Sequence, residues 1–153
     1  MSVEANCCKP SGQDLKMQNN AKNLLVVAVA LLDSDNRILI AQRPKGKNMD
    51  GLWEFPGGKV NTDEAPQIAL AREIQEELGI KICTGCQLPL NFSSYRYEDF
   101  HLVLLLFACR NWEGTPQGLE GQQLKWIKIG DINNYPMPPA DEVLVATLRD
   151  YLG

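Results

Sequence analysis

The segment from Pro66 to Gly79 constrains this chain more than any other, because it reads as one amphipathic helix whose polar side carries three glutamates. Pro66 suits a first helical turn, where its missing N–H costs nothing, and Gly79 stands where a left-handed residue closes a helix. Leu70, Ala71, Ile74 and Leu78 recur at helical spacing, so the helix must lie against another layer of structure. Glu73, Glu76 and Glu77 stand at i, i+3 and i+4 and share one side. Like charges at this spacing repel, which leaves two readings: a solvated face softened by Arg72, four residues before Glu76, or a site built to receive a cation. Gly57-Gly58 upstream permits close backbone approach, with carbonyl oxygens towards the same helix end, and Glu64 adds a further acid. All of these are hard oxygen donors. They suit Mg2+, with Mn2+ as a substitute, rather than zinc, and Mg2+ binds through few carboxylates plus substrate phosphates.

The rest of the chain supplies the layers. Residues 1–22 are polar, show no hydrophobic period and read as a mobile tail; residues 23–153 read as a single domain. Leu24 to Leu32 and Ile38 to Gln42 are apolar runs on either side of Asp33-Ser34-Asp35-Asn36, the pattern of a hairpin. Leu52 to Phe55 reads as a short strand, and Pro56-Gly57-Gly58 as a sharp change of direction. Phe92 to Glu98 with Leu102 to Cys109 reads as a second hairpin, and Leu124 to Ile129 as a further strand. Pro138-Pro139 precedes a last helix, with Asp141 and Glu142 in its first turn and Leu144, Val145, Leu148, Tyr151 and Leu152 at helical spacing. This order gives a mixed α/β or α+β domain, two main helices packed on twisted sheet.

Charge and cysteine content narrow the partners. The net charge of -4 and the lack of a basic cluster argue against a groove for a nucleic acid polymer. The longest apolar runs fall short of the roughly 18 residues that a membrane-spanning helix needs. Ala28-Val29-Ala30 has the small-x-small form of an export cleavage site, but only Leu24 to Val27 would remain as the apolar region before it, and Glu4 and Asp14 precede it. A cytoplasmic location is expected, with the five cysteines reduced. Cys83-Thr84-Gly85-Cys86 is a lone CxxC that only Cys7-Cys8 could complete into a zinc site, so it reads as thiols near a strand end.

Gly58, five residues, Glu64, seven residues, then Arg72-Glu73-Ile74-Gln75-Glu76-Glu77-Leu78-Gly79-Ile80 resembles the signature of the Nudix hydrolases at every defined position. The resemblance implies an αβα sandwich and Mg2+-dependent hydrolysis of a nucleoside diphosphate linked to another group. Ala41-Gln42-Arg43-Pro44, Gly51-Leu52-Trp53-Glu54-Phe55-Pro56, Trp112-Glu113-Gly114, Gly118-Leu119-Glu120-Gly121-Gln122 and Pro138-Pro139-Ala140 extend the likeness to the MutT branch, which hydrolyses oxidised purine nucleoside triphosphates such as 8-oxo-dGTP and so guards DNA against mutation. By that resemblance Glu73, Glu76, Glu77, Glu120 and the Gly57 carbonyl are metal ligands, Glu73 or Glu120 is the catalytic base, and Arg72 holds Glu76 in place. Arg43 meets a substrate phosphate, and Asn48, Glu54, Phe55, Tyr97 and Asp141 complete the substrate site. The expected partner is a small nucleotide, and the protein is expected as a monomer or weak dimer.

The base pocket is where the chain departs from the MutT pattern, which has Asn in place of Asp141 and Arg in place of Phe100. CTP pyrophosphohydrolases share the segments around Arg43 and Glu54 and a Pro-Ala-Asp near the end, but lack the Trp-Glu-Gly and Gly-x-Glu-Gly-Gln segments. Asp141 in a first helical turn is expected to be ionised, favoured by the helix dipole, and an ionised carboxylate only accepts hydrogen bonds. Guanine offers it two adjacent donors, cytosine one.

Overall fold

The computed structural model describes residues 22–153. The tail expectation falls on residues outside that range, except for Lys22, which is already the first residue of a strand. The strands are β1 (Lys22–Leu31), β2 (Arg37–Gln42), β3 (Trp53–Glu54), β4 (Gly57–Lys59), β5 (Lys81–Ile82), β6 (Leu88–Arg96), β7 (Phe100–Cys109), β8 (Trp112–Glu113) and β9 (Gln123–Lys128). The helices are α1 (Pro66–Leu78), α2 (Pro139–Glu142) and α3 (Val145–Leu152), with 3-10 turns at Thr84–Cys86 and Ile129–Asn134.

A four-stranded sheet runs β4-β1-β7-β6, a three-stranded sheet β3-β2-β9, and β5 pairs β8. β1 is parallel to β7 along its whole length, from Lys22 opposite Phe100 to Leu31 opposite Cys109. Its side chains alternate between two cores, as a pleated strand requires. Ala28, Ala30 and Leu32 join Ile38, Ile40, Leu104 and Leu106 against Ala140, Leu144 and Leu148 of the C-terminal helices. Val27, Val29 and Leu31 join Leu39 and Phe107 against Ala69, Leu70, Ile74 and Leu78 of α1. The result is sheet between two helical layers, the expected sandwich.

Several local expectations need correction. The first pair of apolar runs turns where expected, since the Asp33 carboxylate accepts from the N–H groups of Asp35 and Arg37 at 3.0 and 2.8 Å. It does not continue as a hairpin: pairing stops at one bridge between Leu32 and Ile38, after which β1 and β2 enter different sheets. Both strands are apolar on both faces, so each is an inner strand with two neighbours of its own. The second hairpin forms, but β6 starts earlier, at Leu88, with an irregularity between Pro89 and Asn91. The last helix is broken in two, because the Leu144 N–H donates to the carbonyl of Asp141, a tighter turn than the α-helix allows. The change of direction expected at Pro56-Gly57-Gly58 falls at Pro56, a bend between β3 and β4, which belong to different sheets. The two glycines are strand β4, antiparallel to β1, with φ negative at both. What the glycines supply is room: a Cβ on Gly57 would enter the Val27 carbonyl, and one on Gly58 would enter the Glu73 side chain.

Candidate active site

The glutamates are positioned by the two ends of α1. Pro66 opens it, and Gly79 closes it at φ 70°, its N–H donating to the Gln75 carbonyl. The carbonyls of its last two residues meet the loop that carries Glu120. Gln117 N–H donates to the Leu78 carbonyl, and Leu119 N–H and the Gln122 side-chain amide both donate to that of Glu77. The Gln122 side-chain oxygen accepts from the Glu120 N–H at 2.8 Å. Glu120 is thus tied to the turn that bears Glu77 through one glutamine.

Arg72 is the hub of the acidic side. Its Nε and Nη2 grip both oxygens of Glu64 at 2.8 Å, its Nη1 donates to Glu73 at 2.8 Å, and its Nη2 also reaches the Lys59 carbonyl at 3.0 Å. Glu76 lies 3.5 Å away and is largely exposed. The expected pair of Arg72 with Glu76 is present as the longer contact, while the closest bonds go to Glu64 and Glu73, because the planar guanidinium fork fits the Glu64 carboxylate two bonds at a time. Those bonds, with a further one from the Asn61 N–H, pull the Glu64 carboxyl down to about 2.

A cavity of about 610 Å³ opens beside this end of the helix. Gly57, Glu77 and Glu120 line it, together with Arg43, Asn48, Glu54, Phe55, Tyr97 and Asp141. Arg72, Glu73 and Glu76 do not line it. Among the described residues, no three acidic, histidine or cysteine side chains already stand gathered as a metal cage. The electrostatics nonetheless suit a cation. Burial pushes the Glu77 carboxyl up to about 8, helped by the negative charges of Glu120, Glu54 and Glu73 and opposed by the Gly57 amide. A divalent cation among these oxygens would relieve that repulsion, and the donors are of the hard kind that Mg2+ or Mn2+ takes.

The second cluster is built on the start of α2. Asp141 is 7% exposed and accepts from the Phe55 N–H at 3.3 Å, while the Tyr97 hydroxyl accepts from the Ala140 N–H. Phe55 is itself in the core, and Tyr97 is stacked on Phe100, the residue that replaces arginine of the MutT pattern. Burial drives the Asp141 carboxyl up to about 7, with the charge of Glu54 adding to it and the Phe55 N–H and Arg43 opposing. Its expected full ionisation by a helix dipole is corrected on two grounds: α2 has only four residues, and desolvation outweighs what so short a dipole offers. Glu54 connects the clusters, since it acts on both Glu77 and Asp141. It is held by Arg43 Nε at 2.9 Å, and Arg43 Nη1 also donates to the Asn48 carbonyl at 3.0 Å. Burial raises the Glu54 carboxyl, against the pull of Arg43.

Sequence reasoning missed three lysines that line the cavity, Lys22, Lys47 and Lys59, because they are scattered along the chain and form no run. It also passed over the clamp made by Gln122, although the glycine-flanked segment that contains it was visible. His101 bonds the Ser94 hydroxyl through Nε2 at 2.6 Å. No helix among the described residues is long and apolar enough to cross a membrane.

Comparison with known proteins agrees with this geometry. The family model for the NUDIX domain matches residues 27–147. The chain is 35% identical over 133 residues to the 8-oxo-dGTP diphosphatase of Escherichia coli K12, an alignment covering 84% of this chain and 98% of that one. It is 38% identical over 120 residues to the CTP pyrophosphohydrolase of the same organism, covering 77% and 86%. The fold matches a solved structure from a study of MutT from Aliivibrio salmonicida and Vibrio cholerae at a TM-score of 0.72 and 34% identity, over 85% of this chain and 99% of that one. With a helix that bears the acidic signature, a sandwich that presents its last glutamate to a cavity, a family model matched over residues 27–147 and relatives matched along most of their length, the chain belongs to the Nudix hydrolase family.

Proposed function

We propose that this protein is a Mg2+-dependent nucleoside triphosphate pyrophosphohydrolase that converts 8-oxo-dGTP to the monophosphate and pyrophosphate. The observation that carries the reading is the pairing, in one cavity, of an acidic group around Glu77 and Glu120 with a buried carboxylate at Asp141. The first suits the cation of a polyphosphate, and the second suits a base edge made of donors. Guanine presents N1–H and the 2-amino group side by side, and its 8-oxo form adds a donor at N7. Paired with them, the Asp141 carboxyl gives up its proton and accepts.

In this reading the Gly57 carbonyl, Glu73, Glu76, Glu77 and Glu120 hold the metal. Bound Mg2+ supplies Lewis-acid polarisation of the phosphoryl oxygens and lowers the pKa of water. Glu73 or Glu120 takes the proton from the attacking water. Arg72 positions Glu73 by the bond at 2.8 Å, which makes it a positioning residue. Among the described residues, one guanidinium nitrogen of Arg43 lies outside its bonds to Glu54 and Asn48, and it would meet a phosphate oxygen. Lys22, Lys47 and Lys59 offset the repulsion that an acidic protein presents to an anionic substrate.

The CTP pyrophosphohydrolase relative favours a second reading, CTP or a 5-substituted dCTP, to which Asp141 makes one bond through the 4-amino group. A nucleotide-binding domain without catalysis is disfavoured because every acid of the signature is present. Product analysis tests the reaction. Hydrolysis of 8-oxo-dGTP should release orthophosphate only after a pyrophosphatase is added, and none of it should proceed in excess EDTA. Orthophosphate released directly, or turnover that survives the chelator, would overturn this reading.

A further inference from the structure

Away from the cavity, Cys83 and Cys86 bracket the 3-10 turn that joins β5 to β6. Their sulfurs are 2.9 Å apart, within hydrogen-bond reach of each other. The turn holds them there: Cys86 N–H donates to the Cys83 carbonyl, and Gly85 lies beside the Cys83 sulfur, where a Cβ would stand 3.8 Å from it. Cys83 is exposed and Cys86 is partly so, whereas Cys109 is buried and its thiol donates to the Asn111 carbonyl. Neither Cys83 nor Cys86 lines the cavity, so the nucleotide chemistry has no use for them.

From this geometry we infer that Cys83 and Cys86 form a reversible dithiol–disulfide site whose co-reactant is a peroxide. Cys83 is the attacking sulfur. Its thiol is shifted towards the thiolate by the Cys86 S–H and by the Gly85 and Cys86 amides, while Cys86 is shifted the other way. The Cys83 thiolate attacks one oxygen of hydrogen peroxide, an S–O bond forms as the O–O bond breaks, and the departing hydroxide takes a proton and leaves as water. The Cys86 sulfur then attacks the Cys83 sulfenic acid, an S–S bond forms, and the hydroxyl leaves as a second water with the Cys86 proton. The two sulfurs together lose two electrons, and the peroxide gains them. A dithiol such as dithiothreitol restores both thiols.

Peptide mapping of the full chain tests this. The protein is treated with one equivalent of hydrogen peroxide, remaining thiols are alkylated, and the digest is read with and without dithiothreitol. Wild type should lose alkylation at Cys83 and Cys86 together, with a mass lower by two hydrogens in the peptide that contains both, and should regain it on reduction. Cys86→Ser should instead accumulate a Cys83 sulfenic acid that dimedone traps. Cys83→Ser should leave Cys86 alkylated. Cys83 and Cys86 both staying alkylated while Cys109 reacts would overturn the site, as would a disulfide from Cys83 to Cys7 or Cys8 in place of Cys86.

Discussion

Glu77 and Asp141 are the two residues whose charge the fold disturbs most usefully. Both are carboxyls lifted far above their ordinary range, to about 8 and about 7, by burial and by neighbouring negative charge. In the folded, metal-free protein they keep protons that the unfolded chain has already lost. Stability supplied by this retention is complete below the ordinary carboxylate range and is lost as pH rises through it towards 7 and 8. Thermal unfolding in EDTA should therefore show a melting temperature that falls between about pH 5 and pH 8 and then levels. The slope should be shallower in Glu77→Gln and in Asp141→Asn. Glu64 works in the opposite sense but only below about 4.5, outside that window. A melting temperature that rises from pH 5 to 8 would contradict the desolvated, protonated state of these two carboxyls. For turnover, Glu77→Gln keeps the shape and removes one charge from the proposed metal site, so kcat should drop by on the order of 10²-fold or more with the fold intact. Near-normal turnover in a folded variant would remove Glu77 from the metal group.

At the scale of elements, the site depends on how closely β4 lies between β1 and α1. Gly57 faces the Val27 carbonyl and Gly58 faces the Glu73 side chain, each with no space for a Cβ. Gly57→Ala must push β4 off β1 and should cost about 1–3 kcal/mol, as overpacking does. Gly130→Ala is the contrast, since it has open space and no positive φ, and should stay within about 0.5 kcal/mol of wild type. Equal melting temperatures for the two variants would show that β4 has slack. Helix α1 was legible in the sequence because its limits are chemical: Pro66 and Gly79 fix the ends, and the leucine stripe fixes the buried side. The strands were legible as strands, but not their partners. β1 and β2 read as a hairpin because they are adjacent and separated by turn residues, whereas the partners of β1 are β4 and, far along the chain, β7. Two runs that are apolar on both faces say that they are inner strands. They do not say which neighbours they take.

The whole molecule brings together residues from several distant stretches, and this decides how much of the site could be read in advance. Signature spacing pointed to the acids of α1, of which Glu77 lines the cavity, and the Gly118 to Gln122 segment pointed to Glu120, which lines it too. It could not show that Arg72 spends its strongest bonds on Glu64, because Glu64 reaches it only once the loop before α1 folds back. Nor could it show that Glu54 acts on both Glu77 and Asp141, or that Lys22 lines the cavity, since both depend on packing between sheets. Asp141 was expected to act as an acceptor, and its burial, which opposes the expected ionisation, is a property of the finished fold.

The central claim is that this cavity reads an oxidised guanine through Asp141, and a panel of kcat/KM values across 8-oxo-dGTP, dGTP, CTP, 5-substituted dCTP and ADP-ribose tests it most directly. The account predicts that 8-oxo-dGTP leads the panel. It also predicts that Asp141→Ala, which leaves base donors unpaired at about 1–3 kcal/mol, lowers kcat/KM for that substrate by roughly 5- to 150-fold. CTP or a 5-substituted dCTP at the head of the panel, with 8-oxo-dGTP hydrolysis unchanged in Asp141→Ala, would contradict it.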